Sequence, residues 1–207
     1  MPDRLLGVLG GTFDPVHIGH LRTVMDLQQA LNLTEIHLVP NYVPPHRAQP
    51  SITAEQRYAL LETALADVSG LVADDREIMR RGASYMVDTL RDLKQQFPNK
   101  HLCLIIGTDA YNNFCDWHDW QGILQLAHIL VMKRPRVDVI ENPELDHLIA
   151  TGADSLLQEE YGMIYLQQVS QLDVSSTRIR EMIKKQQSIQ FLVPEVIRSD
   201  LENLYKG

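Results

Sequence analysis

The chain has 207 residues, 44% of them hydrophobic and 22% charged, which suits one globular domain spanning 1–207 with a sizeable core. The 19 Lys and Arg are outnumbered by 27 Asp and Glu, and a formal charge of −8 argues against a broad nucleic-acid-binding face while leaving room for a local cationic pocket. No apolar run approaches the ~20 residues that span a bilayer, and Met1-Pro2-Asp3-Arg4 lacks a secretory leader, so no membrane partner is expected.

A short apolar run at 5–9 predicts the first strand, followed by a glycine turn and a helix over 20–31. Further strands are expected at 36–39, 71–73, 102–106, 129–132 and 163–166. Helices are expected at 54–66, 85–96, 120–127, 176–185 and 194–205, the last two forming a C-terminal helical portion from about residue 176. Tyr58, Leu61, Leu65 and Val68 recur at helical intervals, and Thr53 with Gln56 fits a capping box. Ser84 is a candidate cap for the helix beginning at Tyr85. The polar stretch 134–160, with Pro135 and Pro143, reads as a surface excursion. The acidic pairs Asp74-Asp75 and Glu159-Glu160 read as solvated faces. Cys103 lies in an apolar strand as a buried free thiol, neither it nor Cys115 belongs to a C-x-x-C pair, and a cytoplasmic location is expected.

Strands alternating with helices imply right-handed crossovers and an α/β fold: a Rossmann-like, doubly wound parallel sheet with helices on both faces. Ligands of such sheets bind beyond the C-terminal strand ends, at the point where the strand order reverses. Three unusual loops are expected there: the turn through Gly10, Gly11, Thr12 and Phe13, the proline loop 40–50, and Gly107-Thr108-Asp109.

The first of these carries the strongest chemical signal. In Gly10-Gly11-Thr12-Phe13-Asp14-Pro15-Val16-His17-Ile18-Gly19-His20, glycine allows close approach of backbone to ligand, and a helix N-terminus offers unpaired N–H groups and a favourable dipole to phosphate. His17 and His20, at i and i+3, share a face and can donate to one phosphate group. A pair of satisfied core or surface histidines is the competing reading. Ser175-Ser176-Thr177-Arg178-Ile179-Arg180 opens a helix with hydroxyls and places Arg180 one turn in, fit to fork onto phosphate oxygens; a plain Ser/Thr cap followed by solvated basic residues would look alike. Pro44-Pro45-His46-Arg47 carries a His and an Arg on a stiff loop. Asp109 suits a ribose hydroxyl or a helix cap. Trp117 and Trp120 flank His118 and Asp119, offering either a ring to stack on or core tryptophans. Lys133-Arg134-Pro135 follows a strand end and reads equally as phosphate path or solvated turn.

Taken together, G-G-T-F-D-P-V-H-I-G-H at 10–20 and S-S-T-R-I-R at 175–180 resemble the two signature motifs of the nucleotidyltransferase superfamily. With P-N-Y-V-P-P-H-R at 40–47, I-I-G-T-D-A at 105–110 and K-R-P at 133–135, the resemblance narrows to the bacterial nicotinate-nucleotide adenylyltransferases and covers nearly the whole chain. That resemblance implies transfer of AMP from ATP to nicotinate mononucleotide, giving deamido-NAD and pyrophosphate, with Mg2+ held mainly through ATP phosphates and water and no metal ligands from the chain. It implies that His17, His20 and Arg180 are catalytic. Ser176 and Thr177 would join Arg180 on the β- and γ-phosphates. Gly10, Gly11, Thr12, Phe13, Gly107, Asp109 and Arg134 would complete the ATP side. Asn41, His46, Arg47, Tyr85, Met86, Asp109 and Trp117 would face the mononucleotide. Family members commonly carry Thr where Met86 stands, beside the nicotinate carboxylate. Met is tolerated there if backbone N–H groups make the contact; if a hydroxyl is required, acid-over-amide selectivity changes. Related acceptors such as nicotinamide mononucleotide, and a non-catalytic nucleotide sensor, are the alternatives. His17-Ile18-Gly19-His20 also spells the signature of class I aminoacyl-tRNA synthetases, but this acidic chain lacks their second signature loop and their RNA-binding region.

Overall fold

The computed structural model describes residues 4–43, 49–133 and 138–206. Among them, β1 (Leu5–Gly11), β2 (Glu35–Pro40), β3 (Leu71–Ala73), β4 (His101–Gly107), β5 (Ala127–Lys133) and β6 (Ile164–Gln168) form one sheet in the order β3-β2-β1-β4-β5-β6. Every adjacent pair is parallel. This is the expected doubly wound α/β arrangement, and the order reverses between β1 and β4.

Alternation along the strands builds two cores. Leu5, Leu9, Ile36, Leu38, Cys103 and Ile105 face one side. There they meet α1 (Ile18–Leu31), α2 (Ala54–Leu65), α8 (Ser176–Lys184) and α9 (Arg198–Leu204). Leu6, Val8, Val39, Leu102, Leu104 and Ile106 face the other, under α4 (Met86–Gln96), α5 (Thr108–Asn112) and α6 (Trp120–Leu124). A strand buried on both faces reads as a continuous apolar run, which is why these strands were recognisable. The Thr53–Gln56 capping box is present, with reciprocal bonds of 3.2 and 3.0 Å.

Several local expectations need correction. The helix expected over 120–127 ends at Leu124, and Ala127 already begins β5. No Gly or Pro separates the two, so the apolar pattern runs through the junction. The last expected helix is a 3-10 turn, Glu195–Ile197, followed by α9. Two short helices were not anticipated, α3 (Arg76–Arg80) and α5. In the excursion after β5, Leu145 and Leu156 are fully buried, α7 (Ser155–Gln158) forms, and the segment packs on both cores instead of lying on the surface. Asp74 is not solvated: it is 8% exposed and bonded to His37 Nδ1 at 2.6 Å and to Arg76. Burial alone raises its pKa, but the bonds from His37 and Arg76 outweigh burial and hold it at about 2.

His128 in β5 is fully buried as a neutral ring. Its Nδ1 accepts from the Met163 N–H at 3.2 Å, so the proton sits on Nε2, which donates to the Glu159 carbonyl at 3.1 Å. Burial pulls its pKa from 6.5 to about 4. Between those values the unfolded chain binds a proton that the folded chain does not. The stabilisation is therefore complete above pH 6.5 and is lost as pH falls through about 4, on the order of 3 kcal/mol for this group. The thermal midpoint should fall on acidification from about pH 7 to about pH 4.5, and His128→Gln, which cannot take the proton, should flatten that fall. Identical slopes in thermal melts would remove His128 as a source.

Candidate active site

The sheet brings the C-terminal ends of β1, β2, β4 and β5 to one edge. Asn41 N–H donates to Gly11 O at 2.9 Å, which ties the start of the proline loop to the glycine turn at the switch point. His46, Arg47 and Arg134 lie outside the described residues. Lys133, beside Arg134, is exposed at the end of β5.

His17 is not inside α1 but caps it, with extended backbone. Its Nδ1 accepts from His20 N–H at 3.3 Å. In the neutral ring this puts the proton on Nε2, which is then a donor. The two imidazoles stack, with centroids 3.6 Å apart and planes 20° from parallel. Burial holds the His17 pKa at about 4, against 6.5 for an ordinary imidazole. A neutral His17 beneath His20 avoids two cations in stacking contact.

The helix amides contribute less than the motif alone suggests. Ile18 N–H is taken by Leu192 O at 3.0 Å and His20 N–H by His17, so two of the first amides of this helix are already engaged. Phe13 has φ 48°, a left-handed conformation uncommon for a bulky side chain; its ring is buried, and its edge meets His20 at 5.3 Å. A Cβ at Gly19 would lie 2.7 Å from Val174 Cγ1 and 3.0 Å from His17 Nδ1, so glycine is what lets the segment before α8 close over the histidines.

Ser175 caps α8 by accepting from Arg178 N–H at 3.3 Å. Ser176 Oγ donates to Pro15 O at 2.8 Å. Arg180 donates through Nη1 to Asp14 O and places Nη2 3.4 Å from Thr177 Oγ1. The two motifs, about 160 residues apart in sequence, are thus in direct contact.

On the other side of the turn, Tyr42 N–H donates to Ser84 Oγ at 2.9 Å and Ser84 N–H to Val43 O at 3.1 Å. Ser84 therefore does not cap α4, as its position before Tyr85 suggested; Tyr85 is the N-cap residue and makes no side-chain capping bond. Met86 opens α4 with its Cε against Gly10, since a Cβ added there would collide with it. Tyr85 packs on His118 with centroids 4.2 Å apart, and half-buried Trp117 packs on Phe114 at 5.8 Å. Asn41 Oδ1 and Thr12 Oγ1 are buried polar atoms without a hydrogen-bond partner, both at this edge. Gly107, not Asp109, caps α5; Asp109 is exposed in its first turn.

Three residues that hold this edge together were given no role by sequence reasoning. Arg57 of α2 is 1% exposed; it donates to Thr12 O and Asn41 O, each at 2.6 Å. Burial lowers its pKa, with Asp14 opposing. Asp14, 5% exposed, accepts from Ser51 N–H at 2.9 Å and from the hydroxyl of Tyr205 at 2.6 Å. Arg57 had one available signal: a charge on the helical stripe of Leu60, Leu61 and Ala64. Tyr205 had none.

A cytidylyltransferase-like family model matches residues 8–182, spanning both motifs. A protein of Chromohalobacter salexigens named "Probable nicotinate-nucleotide adenylyltransferase" is 44% identical over 202 residues, covering 95% of this chain and 92% of the relative. The chain belongs to this family. A second relative of the same name, from Methylococcus capsulatus, is 40% identical over 198 residues, covering 93% of this chain and 94% of its own length. The resemblance read from the motifs is borne out. A nicotinic acid mononucleotide adenylyltransferase of Plasmodium falciparum, solved with NaAD, shares the fold at TM-score 0.70 and 18% identity over 98% of each chain.

Gly19→Ala separates site geometry from stability. Overpacking of about 1–3 kcal/mol is partly offset by a helix-propensity gain of about 1 kcal/mol, so the melting temperature should fall by no more than about 4–8 °C. Displacing His17 from its stack should still lower kcat/KM by about 10²-fold. Wild-type kinetics would mean the stacked geometry is dispensable.

Proposed function

We propose that this chain transfers AMP from ATP to nicotinate mononucleotide, releasing pyrophosphate and forming deamido-NAD. The observation that carries this reading is the direct contact between the stacked His17–His20 pair's turn and the Ser176–Arg180 helix start at the sheet's switch point. Family membership names the donor and acceptor.

In this reading the acceptor phosphate attacks the α-phosphorus in line, and no protein nucleophile is required. Catalysis is positioning plus stabilisation of developing charge. The His17 Nε2–H and the His20 ring face the α-phosphate. Ser176, Thr177 and Arg180 hold the β- and γ-phosphates and the leaving pyrophosphate. Thr12 stays on the ATP side; Asn41, Tyr85, Met86 and Trp117 form the acceptor side, and the buried orphan oxygens of Thr12 and Asn41 supply polar contacts to the two substrates. His46, Arg47 and Arg134 keep their proposed roles beside the mononucleotide and the phosphates. Gly107 and Asp109 meet ribose. Because Tyr85 leaves the first turn of α4 without a side-chain cap, backbone N–H groups are the natural donors to the nicotinate carboxylate, and Met86 is compatible with acid selectivity.

Mg2+ belongs to the same proposal. Among the described residues no group of three or more His, Cys, Asp or Glu side chains could hold a metal ion, and both Asp14 oxygens are engaged. That donor set fits an ion carried in on the nucleotide phosphates and water, where it would neutralise charge on the departing pyrophosphate. Among the described residues no helix is long and apolar enough to cross a membrane. Two free thiols, one of them the buried Cys103, suit the reducing cytoplasm.

Purified protein with Mg2+-ATP should release pyrophosphate on addition of nicotinate mononucleotide, and far more slowly with the amide. Equal rates would favour the amide-using alternative, and no release with either would favour a sensor. His20→Ala should lower kcat by about 10²–10³-fold with an unchanged melting temperature. A kcat within a few-fold of wild type would remove His20 from the transition state.

A further inference from the structure

Tyr205 stands at the C-terminal end of α9 and is 3% exposed. Its hydroxyl donates to Asp14 Oδ1 at 2.6 Å, across 191 residues of sequence. The other carboxylate oxygen of Asp14 accepts from Ser51 N–H at 2.9 Å and lies 3.4 Å from Arg180 Nη1. Arg180 Nη1 also donates to the Asp14 carbonyl. One buried carboxylate therefore joins the glycine turn, the segment entering α2, α8 and the end of α9.

The arrangement splits the work of the two oxygens. An ionised carboxylate has about four acceptor positions and pairs readily with both edges of a guanidinium. Here Oδ1 accepts from the phenol, Asp14 meets Arg180 through Nη1 alone, and Nη2 points toward Thr177. Burial and the neighbouring carboxylate push the Tyr205 pKa well above that of an ordinary phenol, so the group stays a donor. Without the hydroxyl, Oδ1 would be a buried acceptor with no donor, and Arg180, whose Nη1 already lies 3.4 Å from Oδ2, is a cation placed to supply one.

We propose that Tyr205 is a positioning residue for adenylyl transfer: by occupying Asp14 Oδ1, its hydroxyl keeps Asp14 from drawing Arg180 into a two-pronged pair and leaves the guanidinium presented to the triphosphate. This rests on the phosphate-binding role proposed for Arg180. It assigns the C-terminal helix a part in the use of ATP and none in the use of the acceptor.

The test is Tyr205→Phe in the full chain, which keeps the ring and removes only the oxygen. KM for ATP should rise about tenfold, ATP affinity measured by calorimetry should fall in parallel, and KM for nicotinate mononucleotide should stay within about twofold. In an Arg180→Ala background the same change should have no further effect on ATP, because its route is gone. Losses shared equally by both substrates, or an undiminished loss on top of Arg180→Ala, would overturn the proposal. So would unchanged ATP kinetics. If Tyr205→Phe folds poorly, Asp14→Asn keeps an oxygen for the phenol and turns an amide NH2, a donor, toward Ser51 N–H and Arg180 Nη1, which displaces the guanidinium and raises KM for ATP. It should then retain the wild-type KM for nicotinate mononucleotide, and a rise in that value as large as the rise for ATP would sink the idea. Pyrophosphate release by the wild-type protein reports on the overall reaction independently. An Arg180→Ala variant with wild-type ATP kinetics would point to a failure of the Arg180 assignment instead.

Discussion

A guanidinium buried between two strand ends sets the shape of the whole edge. Arg57 reaches from α2 to the carbonyls of Thr12 and Asn41, the first residues past β1 and β2. Those carbonyls belong to chain that is leaving the sheet, where no ladder partner remains. Burying an unpaired charge costs several kcal/mol, so Arg57 is tolerable only because two charge-assisted bonds and the nearby Asp14 carboxylate compensate it. The same bonds fix where β1 hands over to the glycine turn and where β2 hands over to the chain at Asn41. The histidine stack, the contact with α8 and the Tyr42–Ser84 clasp all lie downstream of that constraint.

How much of this the sequence disclosed depended on the range of the forces involved. Strands buried on both faces announce themselves as apolar runs, and their alternation with helices implied the parallel sheet. The Thr53–Gln56 box is a contact between near neighbours and was legible. Helices of five residues, such as Arg76–Arg80 and Thr108–Asn112, are too short to show a period. Buried charge was the larger blind spot. Asp74 looks like surface until His37, 37 residues earlier, is placed beside it by the β2–β3 pairing. Asp14 sat inside the most informative motif, yet its partners come from Ser51, Arg180 and Tyr205, which no local rule connects.

Within the site, the motif foretold which residues meet but not how they divide the chemistry. A glycine turn before a helix suggests a backbone anion site. Here the amides of Ile18 and His20 are already engaged, and in the proposed reading the imidazoles take over as donors. Capping by His17 does two things at once. It satisfies a helix amide, and it fixes the proton on Nε2. In the role proposed for His17, a ring whose tautomer is set by the helix itself would need no reorientation when phosphate arrives, which is the form of preorganisation that lowers a barrier set by electrostatics.

The proposed acceptor side is built on a different principle, and this bears on what the side chain at 86 does there. Glu77 of α3 is 3% exposed, and burial raises its pKa against the bonds it receives from Thr89 and Ser84. Ser84 in turn accepts from Tyr42 N–H, so a buried carboxyl beneath the surface sets the height of the 41–43 segment relative to the start of α4. The wall is thus determined from below, by Glu77, Thr89 and Ser84. Met86 lies above that network with its methyl against the Gly10 backbone. Exchanging the side chain at 86 alters the lining of the pocket without loosening the α4 amides. If those amides hold the acceptor's carboxylate, selectivity belongs to the backbone frame that Glu77 and Ser84 keep in place, and the residue type at 86 is a secondary choice.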